Sequence, residues 1–461
     1  MMKSNKEKQY EMMLEMPIPK LITSLAIPTV LSQLISTIYN TADTYFVAQI
    51  GTSAAAAVGV VFSLMSIIQA VGFGVGMGAN SLISRNLGAK NEEVAYKYGS
   101  SALFAAIIFG FVLMFFGLLN IKPFMKMLGS TETILPYSCD YAKYILIGAP
   151  IMCSSFVLNN VLRSEGHAMY AMWGLCIGGI LNVILDPIFI FKLNMGISGA
   201  ALATVISQVV SFILLLSVFL MDKSVVKLNV KHISFNLSDY LLILKTGLPT
   251  ICRQSLGSVS SALLNIGASG YGDAAVGAIT IANKVYMLVR NIILGIGQGF
   301  QPVAGYNYGA NNKKRVKEAF IFSCSVGTVI CVIASVVIAL NAYQVMSWFR
   351  SQDVNLINIG AQTLYFVCAV MPFMAYSTYV NQMYQSLGFS KQAAFLASCR
   401  QGICFIPVIL LMPRIIGIKG VEISQPLADF ITFLISVPFQ IVFFNKQLNE
   451  DCESLESSVL N

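Results

Sequence analysis

The sequence predicts an all-α integral membrane protein of twelve transmembrane helices, arranged as two pseudo-symmetric six-helix lobes around a central cavity. Three observations lead there: of the 461 residues 56% are hydrophobic and only 11% charged, the apolar tracts are long, and the two halves share a glycine pattern at a fixed offset. Water-soluble domains carry roughly 25% charged residues, spread through the chain. A span across a bilayer uses about 20 mostly apolar residues, so this composition accommodates about twelve of them.

Apolar runs bounded by charges, Gly and Pro place spans 1 to 6 at 20–46, 54–84, 95–119, 134–160, 168–191 and 197–221. Spans 7 to 12 follow at 239–268, 275–305, 318–340, 355–385, 391–412 and 420–444. The implied organisation is an N-lobe over 1–222, a linker over 223–238, a C-lobe over 239–446 and an acidic tail over 447–461. That tail, with Glu450, Asp451, Glu453 and Glu456, reads as a solvated end. The first sixteen residues are charged and lack a small-residue cleavage site, so no signal peptide is expected to be removed.

Orientation follows from the placement of Lys and Arg. The N-terminus, the loops on its side and the C-terminus hold 17 of them, including Lys3, Lys90, Arg163, Lys223, Lys313 and Lys446. The opposite loops hold six: Lys122, Lys126, Lys192, Arg350, Arg414 and Lys419. Both termini are therefore expected in the cytoplasm, with the protein multi-pass in the cell membrane. Because topology accounts for the net charge of +8, a nucleic-acid partner is unnecessary.

The repeat fixes the architecture. GVGMGANSLISRNLGAKN at 74–91 aligns with GIGQGFQPVAGYNYGANN at 295–312, an offset of 221, with seven of eighteen positions identical. The same offset pairs Pro28-Thr29 with Pro249-Thr250 and Gly196-Ile197 with Gly417-Ile418; an offset of 222 pairs Pro150 with Pro372. Halves with an even number of spans share one topology, and an axis along the membrane normal should relate them.

Composition removes several functions. The two histidines, His167 and His232, lie in separate connecting segments and offer no metal pair or triad. The ten cysteines form no CxxC and read as reduced packing residues. No GxxxxGK[ST] loop occurs. An enzyme is not expected, nor any cofactor.

Ionisable residues inside a bilayer are costly and mark pathways or sites. Asp43 lies near the outer end of span 1, with Tyr39 one turn before it; Asp186 lies in span 5, one turn after Asn182. With Thr204 of span 6 these residues occupy the outer half of the bilayer, each within about 15 Å of the helix ends. Their oxygens suit a proton or a small alkali cation such as Na+, with no other metal expected. Each could alternatively bond only a neighbouring backbone group.

These residues, the proline-bearing first span, the glycine-rich ends of spans 2 and 8 and the six-span repeat resemble a multidrug and toxic compound extrusion (MATE) transporter over about residues 17–446. The resemblance implies an exporter of drugs and organic cations by antiport with H+ and/or Na+. It implies that Asp43 is the protonation switch, Pro28 the bend point, and Tyr39, Asn182, Asp186 and Thr204 the rest of the cation site. A monomer is expected. The alternative within the same superfamily is a lipid-linked oligosaccharide flippase.

One subgroup of that family carries cation-binding acids in spans 7 and 10, and this chain departs from it. The repeat puts Leu264 opposite Asp43 and Pro407 opposite Asp186, while the C-lobe instead carries Arg253, Lys284, Arg290, Arg400 and Asp429. Arg253, Arg400 and Asp429 are expected to form a charge network, structural or coupled to transport. Asn159, Asn160, Asn381 and Gln382 are candidates for cavity amides, or for hydrogen bonds between helices. Met and aromatic residues, 21 Met, 29 Phe and 19 Tyr, permit an adaptable drug surface without identifying one.

Overall fold

A computed structural model describes residues 5–349 and 353–448. The acidic residues of the tail, Lys3 and Arg350 lie outside the described residues. Twelve long helices run in alternating directions: α1 (Ile18–Ala48), α2 (Thr52–Gly88), α3 (Glu92–Leu119), α4 (Leu135–Ser164), α5 (Ala168–Pro187) and α6 (Gly196–Leu220) form the first lobe. The second contains α7 (Leu237–Ser269), α8 (Asp273–Gly309), α9 (Lys313–Leu340), α10 (Val354–Ser386), α11 (Ser390–Ile416) and α12 (Ile418–Phe443). No strand occurs among the described residues. Eleven of these helices are long and apolar enough to cross a bilayer. The exception, α7, has 33 residues but carries Asp239, Lys245 and Arg253. The expected spans coincide with these helices. The pattern missed the short helices Asn5–Glu15, Ile121–Met127 and Ala342–Phe349, which lack the length of a span.

The turns repeat as the helices do. Gly51 and Gly272 (φ 152° and 94°) separate the first two helices of each lobe, and Lys90 and Asn311 (φ 61° and 57°) follow the second. Gly166 and Gly388 precede the fifth, and Gly196 and Gly417 start the sixth, all at positive φ. Each pair is offset by 221 or 222 residues. Helix ends that leave the α region in matched left-handed residues give both lobes the same path.

We call the end bearing Asn5 and Leu448 basal and the other end distal. Towards the basal end the lobes meet through the repeated glycines. A Cβ on Gly78 would lie 2.1 Å from the Ile243 carbonyl oxygen, and one on Gly299 would lie 2.7 Å from the Ala26 nitrogen. One on Gly88 would meet the Tyr306 carbonyl oxygen at 2.0 Å, and one on Gly309 the Arg85 carbonyl oxygen at 2.0 Å. The glycine repeat is therefore the surface on which α2 and α8 approach each other and the opposite lobe, where only hydrogen fits. Arg85 also donates to the Leu387 carbonyl at 3.3 Å.

The N-terminal segment does not belong to the first lobe alone. Lys6 pairs with Glu92 at 2.6 Å, and Gln9 donates to the Glu165 carbonyl at 2.7 Å. Asn307 and Arg315 of the second lobe donate to the Met13 and Met16 carbonyls at 3.2 and 2.7 Å. The connection between lobes lies back on the first: Ser224 Oγ and Val225 N donate to the Glu165 carboxylate at 2.7 and 2.6 Å, and Ser234 N to Ser101 Oγ at 2.9 Å.

Candidate functional site

In the distal half of the first lobe, four helices bring one polar cluster together. Asp43 of α1 accepts from the Tyr141 hydroxyl of α4 at 3.3 Å. That hydroxyl also faces Thr204 and Asp186. Asn182 Nδ2 lies 3.2 Å from Asp186 Oδ1 on its own helix and 3.3 Å from Thr204 Oγ1 on α6. Asp186, Asn182, Thr204 and Tyr141 are buried, while Asp43 is half-buried. Two sequence features allow this convergence. Asn182 and Asp186 share a helix face at a spacing of four, and Gly178 and Gly179 leave room on α5 for its neighbours. A Cβ on Gly178 would reach the Ser207 carbonyl oxygen of α6 at 3.0 Å, and one on Gly179 the Tyr39 ring of α1 at 2.8 Å. Directly after Asp186 and Pro187 the helix widens into a π turn, Ile188–Lys192, a distortion frequent at functional sites.

The cluster is rich in acceptors that nothing satisfies. Asp43 Oδ1, Asp186 Oδ2, Asn182 Oδ1 and Ser207 Oγ are buried without a hydrogen-bond partner. Buried polar atoms are ordinarily paired. Two carboxylates, an amide oxygen and hydroxyls facing one space fit a proton or a small hard cation, the latter through oxygen ligands alone. No group of three or more His, Cys, Asp or Glu suited to a metal occurs among the described residues.

The Tyr39 ring packs on Gly179 and lines the central cavity, one turn before Asp43 on the same helix. Pro28 lies inside an unbroken α1, buried, with the carbonyl of that residue accepting from Ser32 Oγ at 2.9 Å. Beside it, Thr29 Oγ1 donates to the Gly295 carbonyl of α8 at 2.6 Å. Pro28, the expected bend point, is therefore next to a contact between lobes.

The central cavity lies between the lobes, above the glycine contacts. Its walls come from α1, α2 and α4–α8 and include Gln33, Tyr39, Phe73, Phe156, Gln254 and Asn291. Its charged lining residues are Arg163, Arg253 and Arg290. Asn159, Asn160, Asn381 and Gln382, considered above as cavity amides, do not line it. Asn159 and Asn381 donate to the Ala171 and Ala393 carbonyls at 2.8 and 2.6 Å, each tying a helix to the start of the next. Asn160 donates to its own Phe156 carbonyl at 2.8 Å, and Gln382 packs where a Cβ on Gly297 would be. Asn159 and Asn381 thus take the interhelical alternative, whereas Asn160 bonds within its own helix and Gln382 packs against Gly297.

The second lobe places its acid in an ion pair. Arg400 Nε donates to Asp429 Oδ1 at 2.8 Å, Gln425 Nε2 to the same oxygen at 3.0 Å, and the Tyr286 hydroxyl to Asp429 Oδ2. Arg400 lies in its own π turn, Cys399–Ile403. Arg253 does not join this pair, contrary to the expected network. It lines the cavity with Arg290 because α7 and α8 turn these positions inward. Lys284 is exposed.

Tyr141, Arg163, Arg290 and Gln298 matter more than the sequence suggested. Tyr141 lies six residues into α4 from its distal end, at the depth of Asp43, which was the available signal. Arg163 counted as a loop base but is buried at the end of α4, where Nη1 reaches Gln298 Oε1 at 2.5 Å.

Two like-built helical lobes with a buried polar cluster in one and a cavity between them have the build of a membrane transporter. The MatE family model matches residues 28–188 and 249–411, once in each lobe, and the chain belongs to that family. It is 25% identical over 432 residues to the multidrug export protein MepA of Staphylococcus saprophyticus subsp. saprophyticus, covering 94% of this chain and 95% of that one. MepA of Staphylococcus aureus strain MSSA476 is 28% identical over 416 residues, covering 90% and 91%. A crystal structure of a MATE in complex with MaL6 superposes with a TM-score of 0.90 at 26% identity, covering 95% of this chain and 98% of that one. A MATE in the straight conformation gives 0.89 at 26% identity, covering 95% and 98%, and one in the bent conformation 0.88 at 25%, covering 96% and 98%.

Proposed function

We propose that the protein is a secondary active multidrug exporter that moves small drugs out through its central cavity by alternating access, in antiport with H+ and/or Na+ taken up at Asp43 and Asp186. The carrying observation is the set of buried oxygens without partners on Asp43, Asp186, Asn182 and Ser207. A proton or cation there would satisfy those acceptors and relieve the repulsion of two carboxylates held close together. Asn182, Thr204 and Tyr141 position the acids.

The basal end is the cytoplasmic one by the bias of Lys and Arg, and the cell membrane is the site of action. The glycine contacts close that end, so the arrangement corresponds to a cavity turned outward. Bending of α1 at Pro28, where the ring removes one backbone hydrogen bond, would pull the Thr29 contact on Gly295 and couple the ion pocket to the contact between lobes. Relatives named as multidrug export proteins support the exporter reading, as do solved structures in straight and bent forms. The chain works as a monomer, with no cofactor beyond the coupling ion.

The test uses proteoliposomes loaded with dye, with pH and Na+ gradients imposed separately. Gradient-driven movement by the wild type, lost on Asp43→Asn, is expected. Movement indifferent to both gradients sinks the antiport reading. The alternative, a lipid-linked oligosaccharide flippase, gains its support from the arginines of the cavity and would appear in the same vesicles as translocation of a labelled lipid instead of a dye.

A further inference from the structure

We infer that the central cavity is built to take an amphiphilic anion, a molecule with a carboxylate, sulfonate or phosphate ester on an aromatic or apolar body. This deepens the exporter reading by naming a substrate class and rests on it for the direction of transport.

The charges carry the inference. Arg163, Arg253 and Arg290 line the cavity, and no Asp or Glu does. The acids on either side lie outside the cavity lining. Asp43 and Asp186 belong to the separate pocket of the first lobe, beyond the Tyr39 ring and outside the cavity lining. Asp429 is held by Arg400, Gln425 and Tyr286. Its charge also reaches Arg290, while Arg253 feels Arg290 and Arg400 as like charges. Of these three guanidiniums on α7, α8 and α11, Arg400 pairs with Asp429 and Arg290 feels its charge, while Arg253 has only like charges beside it. Arg163 has only a neutral amide, Gln298, as its side-chain partner.

Burial sharpens the imbalance. Arg290 Nε and Arg163 Nε are buried with no hydrogen-bond partner. A guanidinium away from bulk water without an anion is unfavourable, and its fork of donors matches a planar or tetrahedral oxyanion in two-point geometry. An arriving anion would supply both the charge and the acceptors. Around these bases, Phe62, Phe73, Phe156 and Met287 offer apolar surface, and Gln254 and Asn291 offer neutral donors and acceptors. An organic cation would find the same walls but face three like charges and no acid.

The test uses the full-length protein in nanodiscs and two dyes of one ring system, anionic 5-carboxyfluorescein and cationic rhodamine 123, read by fluorescence polarisation at fixed ionic strength. Carboxyfluorescein is expected to bind at least about tenfold tighter than rhodamine 123, and Arg253→Gln and Arg290→Gln each to weaken it by about tenfold. Arg290→Lys should retain part of the affinity. Rhodamine 123 should bind as well or better in both Gln variants. Melting curves establish that the variants fold; where a Gln variant does not, the Lys variant and the salt dependence of wild-type binding take its place.

A cation that binds as tightly as the anion, with neither affinity moved by the substitutions, overturns the inference, as does the absence of carboxyfluorescein binding. In proteoliposomes, gradient-driven export of carboxyfluorescein identifies a free anion as the substrate form. Arg290-dependent scrambling of labelled phosphatidylglycerol identifies a lipid-borne one. Binding that depends on Arg253 and Arg290 without transport of any probe leaves the anion site standing and removes the exporter reading instead.

Discussion

The two lobes are alike in path and opposite in charge. Cavity positions pair across the offset of 221: Ser32 with Arg253, Gln33 with Gln254, Gln69 with Arg290, Phe73 with Leu294 and Met77 with Gln298. The backbone thus brings equivalent positions to one space, and at these pairs the first lobe is neutral while the second adds Arg253 and Arg290; Arg163 of α4 is the first lobe's one charged lining residue. Away from the cavity the contrast reverses. In the first lobe Asp43 and Asp186 have no basic partner, whereas in the second Asp429 pairs with Arg400. A duplicated fold fixes where side chains can meet, whereas single substitutions decide which charges stand there.

Removing the acids of the first lobe is the strongest way to break this contrast. Asp43→Asn or Asp186→Asn should reduce gradient-driven dye efflux to the level of vesicles lacking the protein, at normal expression and unchanged melting temperature. An efflux rate equal to wild type in either variant would place coupling elsewhere.

In the second lobe the same substitution should act on stability. Asp429→Asn leaves the buried Arg400 without its carboxylate, and breaking a buried pair costs roughly 3–5 kcal/mol. A marked fall in melting temperature is expected, with cation-triggered release of bound dye retained. A variant as stable as wild type that has lost this release would make the second lobe a coupling site and erase the contrast.

Most of the fold was readable because a bilayer turns helix number into a pattern of apolar length, and because the repeat preserved its glycines. At the glycines of 74–91 and 295–312 a Cβ would strike the backbone or a side chain of a neighbouring helix, which explains why they align even where the charges do not. At the site, Asp43, Asn182, Asp186 and Thr204 could be placed by depth and helix face. Tyr141 could not be distinguished from the other tyrosines near helix ends, since its role depends on α4 packing beside α1. Asn159 and Asn381 look the same whether they face a cavity or a carbonyl, and only the approach of the next helix decides. Arg253 was assigned to Asp429 by charge alone, while the turn of α7 sends it to the cavity.

Pro28 and Pro249 sharpen the comparison at smaller scale, since both lobes carry the proline but only α1 carries Asp43. Pro28→Ala should restore the missing backbone hydrogen bond and slow turnover several-fold without changing dye affinity. Pro249→Ala should leave turnover near wild type. Equal effects in stopped-flow efflux would make the prolines architectural and detach the bend from the ion pocket.

The smallest effect is expected at Tyr141, which separates holding the acids in place from binding the ion. Its hydroxyl donates to Asp43 Oδ2 at 3.3 Å and faces Thr204 and Asp186, while its buried ring fills the space among α1, α4 and α6. Tyr141→Phe keeps that packing and removes only the hydroxyl. Losing a hydrogen bond to a charged group costs about 1.5–3 kcal/mol, and the long distance here favours the lower end. Because that bond selects the ionised form of Asp43, the variant should favour its neutral form. The pH midpoint of dye efflux should then move upward, with the maximal rate retained to within a few-fold. Tyr141→Leu, which also removes the ring, should lower the melting temperature as well. A Phe variant that abolishes transport as completely as Asp43→Asn would make Tyr141 an obligatory part of the ion site. One with an unmoved pH midpoint would reduce its hydroxyl to packing.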